Sequence, residues 1–221
     1  MTKTNQQKVK DFLINNGVII VMFILVIYTG FTSDNFFTKN NFMNILMNMS
    51  SRLVIALGIA GCVITAGCDL SAGRMIGFGA CISGMLLQRM DYSGKFFPDM
   101  QPLNVFVVAL IAMLVCAAFG TVTGFFIAYL NVPPFIATLA MMEIVYGIGL
   151  IVTNATPLGG YVEQYTNVSN GKFLGINYLI WIAIIVAVIT WFIFNMTRHG
   201  KYMYAIGGNP QAAEVAGVPV K

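Results

Sequence analysis

Six long apolar runs, at 12–31, 43–66, 74–90, 103–129, 135–152 and 177–196, carry almost no charge. Each is close to the ~20 residues that a helix needs to cross a bilayer core. Lipid offers no partner to an open backbone, so a chain of this kind folds as helices that close their own hydrogen bonds. A β-barrel would need apolar and polar residues to alternate, and these runs do not alternate. Composition agrees: 58% of the 221 residues are hydrophobic and 9% are charged, where soluble domains carry about 25% charged residues. The fold class expected is all-α: a polytopic membrane bundle of about six transmembrane helices.

Net charge is only +4, which leaves no broad basic face for nucleic acid. The cations gather at Lys3, Lys8 and Lys10 and again at Arg198 and Lys201. Cations beside apolar runs mark the cytoplasmic side. Six crossings put both ends there, although Arg89 and Lys95 fall on the outer side. The expected organisation is a cytoplasmic segment at 1–11, a membrane domain at 12–196 and a cytoplasmic segment at 197–221. The first run is longer than a signal-peptide core and lacks a small-residue cleavage site, so it reads as a retained span. The segments 32–41, 91–102, 131–134 and 153–177 have loop chemistry, rich in Asn, Gly and Pro. The long segment 153–176 is expected outside.

The four cysteines, Cys62, Cys68, Cys81 and Cys116, show no metal-binding spacing and read as small packing residues. His199 is the sole histidine, in a basic loop, and no Ser/His/Asp set stands out. Catalytic and metal chemistry therefore find no support, and no cofactor bound by this chain is expected.

Three features inside the runs carry functional weight. Cys116, Gly120, Gly124 and Ala128 recur every four residues, which places small side chains on one helix face. Such a face lets helix backbones approach in lipid, either within one subunit or at a seam between two. The stretch Gly67-Cys68-Asp69-Leu70-Ser71-Ala72-Gly73-Arg74 interrupts two apolar runs. It is either a cytoplasmic turn, with Asp69 or Ser71 capping the next helix, or a broken helix beside a transport path. Glu143 lies deep in the fifth run. An acid there is a functional-site candidate, unless it is simply buried and hydrogen-bonded or protonated. Thr65, Thr121, Thr123, Asn131 and Thr138 can bond a ligand hydroxyl or a neighbouring helix carbonyl. The translocation-path candidates are Thr65, Asp69, Ser71, Arg74, Asn131, Thr138 and Glu143.

The segment 197–218 is too polar to span. Gly200, Gly207 and Gly208 permit a bend, Asn209 and Pro210 can open a short helix over 211–215, and Gly217 can end it. The pattern Arg198-x-Gly200, Ala205-Ile206-Gly207-Gly208-Asn209-Pro210, Ala212-Ala213 and Gly217 resembles the coupling segment of bacterial sugar ABC-transporter permeases. Ala56-Leu57-Gly58, Thr65-x-Gly67-x-Asp69-Leu70-Ser71-Ala72-Gly73 and Ala128-Tyr129-Leu130-Asn131-Val132-x-Pro134-Phe135-Ile136 followed by Thr138-Leu139 also fit that family. The likeness is to galactose/methyl-galactoside permeases first and ribose permeases next.

The resemblance implies a multi-pass protein of the bacterial inner membrane that forms a sugar path by alternating access. It implies a second permease subunit, a cytoplasmic ATPase that holds the ATP and magnesium, a periplasmic sugar-binding protein and the membrane lipid as partners. ATPase docking would fall on Gly207, Gly208, Asn209, Pro210, Ala212, Ala213, Glu214 and Gly217. Members of the family continue with further spans, so the chain is expected to be truncated at its C-terminal side. The alternatives to weigh are an ion-coupled secondary transporter or channel, for which Glu143 and the Asp69/Arg74 break speak, and a membrane scaffold or enzyme.

Overall fold

The computed structural model describes the backbone of 5–220 and the side chains of 13–220. Lys3 and the side chains of Lys8 and Lys10, on which the cytoplasmic N-terminal segment rests, lie outside the described residues. The chain divides into two compact units, Met1–Asn48 and Met49–Lys221.

The first unit holds α1, Asn5–Thr32, and the start of α2, Lys39–Ile64. The stretch Leu13–Thr32 is long and apolar enough to cross a membrane. Between the helices the chain turns tightly. Gly30 leaves room for the Phe37 ring, and Asn41 donates its amide to the Phe36 carbonyl at 2.8 Å.

The second unit is built on α3 (Ala72–Leu86), α4 (Val105–Leu130) and α5 (Pro134–Val152). Phe78, Ile82, Ala112, Met141 and Val145 form their shared core. Phe78 meets Phe119 edge to face at 5.6 Å between centroids, a favoured aromatic geometry. Large apolar side chains elsewhere on these helices are exposed, as lipid-facing surfaces require.

Polar residues set the helix ends. Asn104 starts α4 by accepting from Phe106 N at 2.9 Å. Asn131 ends it in the left-handed region, φ 54°, a conformation asparagine tolerates. Pro134 then opens α5, where a missing N–H costs nothing. Beyond α5 come α6 (Glu163–Asn170) and a hairpin pairing β1 (Lys172–Phe173) with β2 (Ile176–Asn177). Leu174 and Gly175 both take positive φ at its turn, as a two-residue hairpin turn demands. The buried Asn177 ties this region to α7 (Tyr178–Met196), donating to Ser169 O and accepting from Leu179 N.

Among the described residues five helices are long and apolar enough to span. The third run instead gives the 15-residue α3, about 22 Å long and shorter than the ~30 Å hydrocarbon core. It stops at Leu86 because Gln88 is drawn elsewhere. That side chain, 1% exposed, donates to Gly159 O and accepts from Phe96 N. Val162 N also donates to Leu87 O, and Arg89 N to Gly160 O. The segments 87–104 and 153–177 are thus joined at one end of the unit. Tyr92 lies over Gly160, where no Cβ would fit. Burial, more than its neighbours Tyr165, Cys81 and Tyr92, pushes the Tyr161 hydroxyl pKa upward.

The C-terminal segment is more helical than its glycines suggest. After the cap Thr197, α8 (Arg198–Gly208) forms, and then α9 (Pro210–Val215). Gly200 makes the sharp turn from α7, since a Cβ there would collide with the Phe194 backbone. Asn209 caps α9 by accepting from Ala212 N at 3.0 Å.

Candidate functional site

A cavity of about 500 Å³ opens within the second unit. One wall is the end of α2, with Cys62, and the break that follows it, with Thr65, Gly67, Cys68, Asp69 and Ser71. The opposite wall is α4, with Gly120, Thr123, Gly124, Ile127, Ala128 and Asn131. Pro134 and Thr138 of α5 close it, with Ile206 of α8 and Val220.

The break begins at one end of the unit and runs inward from there. Residues 65–71 are non-helical. A Cβ on Gly67 would lie 3.9 Å from Pro134 Cβ, at the start of α5. By Arg74 the chain has climbed beyond the middle of α5, for that guanidinium lies 4.0 Å from the Tyr146 ring centroid. The Cys116 thiol, near the middle of α4, donates to Met75 O at 3.5 Å. The helix α3 therefore starts at mid-depth, and open backbone climbs to it. Such backbone is tolerated in a membrane only where protein or a water-filled cavity lies beside it.

Asp69 holds the top of this climb. Its Oδ1 accepts from Ser71 N at 2.8 Å and from Ser71 Oγ at 2.6 Å. This is an Asx-type turn, with Asp69 rather than Ser71 as the acceptor. Ser71 precedes α3 without a side-chain cap bond. Thr65, Thr123 and Thr138 each donate to a carbonyl within their own segment. Their oxygen lone pairs remain as acceptors. The wall thus offers hydroxyl acceptors, a carboxylate and an amide among apolar contacts, a pattern suited to a small polyhydroxylated ligand.

The sequence candidates separate into two places. Thr65, Asp69, Ser71, Asn131 and Thr138 share the cavity. Arg74 and Glu143 do not line it; both are exposed on α3 and α5. Thr121, also considered, donates to Ala117 O and is outside the lining. Gly120, Gly124 and Ala128 form the cavity wall. A Cβ on either glycine would meet nothing within 4 Å, so within this chain the face borders space rather than a packed helix. No cluster of potential metal ligands occurs among the described residues.

Sequence reading missed α8 as an element of the site. Its Met203 lies against Gly61, 2.8 Å from a Cβ placed there. A Cβ on Gly207 would overlap the Ile64 carbonyl oxygen and come within 3.5 Å of Thr65 Cα. Ile206 reaches the cavity itself. The helix α8 is thus packed backbone to backbone on the last turn of α2, where the break begins. The following α9 buries Ala213 and exposes Gln211, Ala212, Glu214 and Val215.

Spanning helices, a half-depth helix entered by open backbone, and a polar-lined cavity define a multi-pass transport protein of the inner membrane. Residues 41–221 match the family described as the branched-chain amino acid transport system permease component, and the chain belongs to that family of permeases. It is 39% identical over 227 residues to the galactose/methyl galactoside import permease protein of Escherichia coli K12, covering 100% of this chain and 68% of that one. The protein of the same name from Haemophilus influenzae Rd is 40% identical over 227 residues, with the same coverage. The ribose import permease protein of E. coli K12 is 31% identical over 215 residues, covering 96% of this chain and 63% of that one. No solved structure matches.

Proposed function

We propose that this chain is the membrane-spanning subunit of an ATP-driven importer of galactose, methyl galactoside or a similar monosaccharide, and that the cavity beside Asp69 is part of the sugar path. The named functions of its relatives support the substrate class. The observation that carries the reading is the join between cavity and C-terminal segment: Ile206 lines the one while Gly207 abuts Ile64. A cytoplasmic ATPase docked on 207–217 would grip the exposed side of α9. Any tilt of α8 then moves the end of α2, and with it the open segment bearing Asp69. Hydrolysis belongs to the ATPase; this chain converts its movement into a change of cavity access. A second copy of the chain would complete the path, and a periplasmic sugar-binding protein would meet the joined segments 87–104 and 153–177.

The test is sugar uptake into vesicles holding the chain with its ATPase and binding protein. Gly124→Leu places a side chain in open cavity space. It is expected to abolish most galactose uptake while leaving ATPase co-purification intact. Removing 207–217 is expected to abolish both. Undiminished uptake through Gly124→Leu would show that sugar passes elsewhere. Uptake that follows a proton or sodium gradient and ignores ATP would favour an ion-coupled transporter instead.

A further inference from the structure

We infer that the exposed face of α3 and α5 bearing Arg74 and Glu143 is a two-fold seam, at which Arg74 of each copy meets Glu143 of the other. The inference rests on the two-copy reading above and names the contact that would join the copies.

Glu143 lies at the middle of α5. At 3.6 residues per turn it points roughly opposite the buried stripe Thr138, Met141 and Val145. It is exposed, and so is Arg74. The two share one patch, because the Arg74 guanidinium is stacked on Tyr146, which neighbours Glu143 on the helix surface. Among the described residues the ion pair present is Arg89–Asp91, and neither Arg74 nor Glu143 forms one.

A patch with two ionisable groups at mid-depth is not a lipid face; such groups turn towards protein, water or a counter-charge. The apolar stretch Leu13–Thr32 and the helices α4 and α7 hold no charged side chain, so none of them supplies a counter-charge. A second copy does. Two-fold symmetry brings a patch against itself, residue i meeting j and j meeting i. A patch holding one cation and one anion is then complementary to its own image. A Cβ on Gly147, one turn beyond Glu143, would meet nothing within 4 Å, which leaves room for close helix approach.

Charge swaps across two differently tagged full-length chains test this, with both expressed in bacterial membranes and captured through one tag. Two Arg74→Glu copies, or two Glu143→Arg copies, are expected to lose at least about tenfold in co-purification, as for a desolvated charge pair made repulsive. An Arg74→Glu copy mixed with a Glu143→Arg copy is expected to recover, since both contacts again join opposite signs. Recovery when both swaps lie in one chain, but not when they are split between copies, means the pair forms within a chain and overturns the seam. So does undiminished association of either single variant with itself. Rescue of Glu143→Arg by Arg52→Glu instead of Arg74→Glu overturns it as well, because Arg52 is a further exposed cation within an apolar helix. Wild-type copies that never co-purify would defeat the two-copy reading itself, a result distinct from all of these.

Discussion

Gly207 and Gly208 are adjacent, identical in type and unequal in duty. A Cβ on Gly207 would overlap the Ile64 carbonyl, whereas one on Gly208 would meet nothing within 4 Å. Backbone cannot yield as a flexible side chain does, so overpacking there costs about 1–3 kcal/mol or more. Gly207→Ala is therefore expected to lower both the thermal midpoint and ATP-driven uptake, by pushing α8 off the end of α2, while Gly208→Ala stays near wild type. Initial uptake rates of the two variants, with the thermal midpoint of each solubilised complex, check this. Equal behaviour would mean that α8 does not act through the end of α2. The sequence marks both glycines as bend formers and cannot rank them. Their difference arises from Ile64, far away in the chain, and only tertiary packing brings it into contact.

Among the elements, the apolar spans were legible because bilayer thickness dictates their length and composition. The cap of α9 was legible too, since Asn209-Pro210 is a local signal, and local signals survive in sequence. What could not be read was where α3 stops. The run 74–90 continues past Leu86 without a Gly, a Pro or a capping pattern. The helix ends because Gln88 finds Gly159 and Phe96, partners that periodicity does not reveal. The helix α8 was missed for the converse reason. Three glycines in a polar stretch suggest a loop, yet Gly200 serves a turn and Gly207 a close approach. Gln88→Ala leaves the part-buried Phe96 N–H without its side-chain acceptor. An orphaned buried group costs about 1–3 kcal/mol, so a drop of several degrees in the thermal midpoint is expected. Trypsin cleavage at Arg89 or Lys95 should also quicken as the join between 87–104 and 153–177 loosens. A midpoint and cleavage rate unchanged from wild type would mean that Gln88 does not determine the end of α3.

At the scale of the whole molecule, the short α3 raises the question of how many times the chain crosses. Open backbone at 65–71 and the helix Ala72–Leu86 together cover the distance that one full helix would. The crossing is thus made in two pieces, and parity is kept. In the second unit, Gly67, Pro134 and the Ile64–Gly207 contact mark one end, while Gln88, Gly159 and Tyr161 mark the other. Leu174 at the hairpin tip is 78% exposed and Val215 on α9 is 91% exposed, so each can report its side. In a chain with its four native cysteines replaced by alanine, Leu174→Cys is expected to react with a membrane-impermeant maleimide on intact spheroplasts. Val215→Cys is expected to react only once the membrane is opened. Labelling of both on intact spheroplasts would put hairpin and α9 on the same outer side, which means that α7 does not carry the chain across. In that case α9 would be held away from any cytoplasmic motor, and a coupling role for 207–217 would be physically impossible.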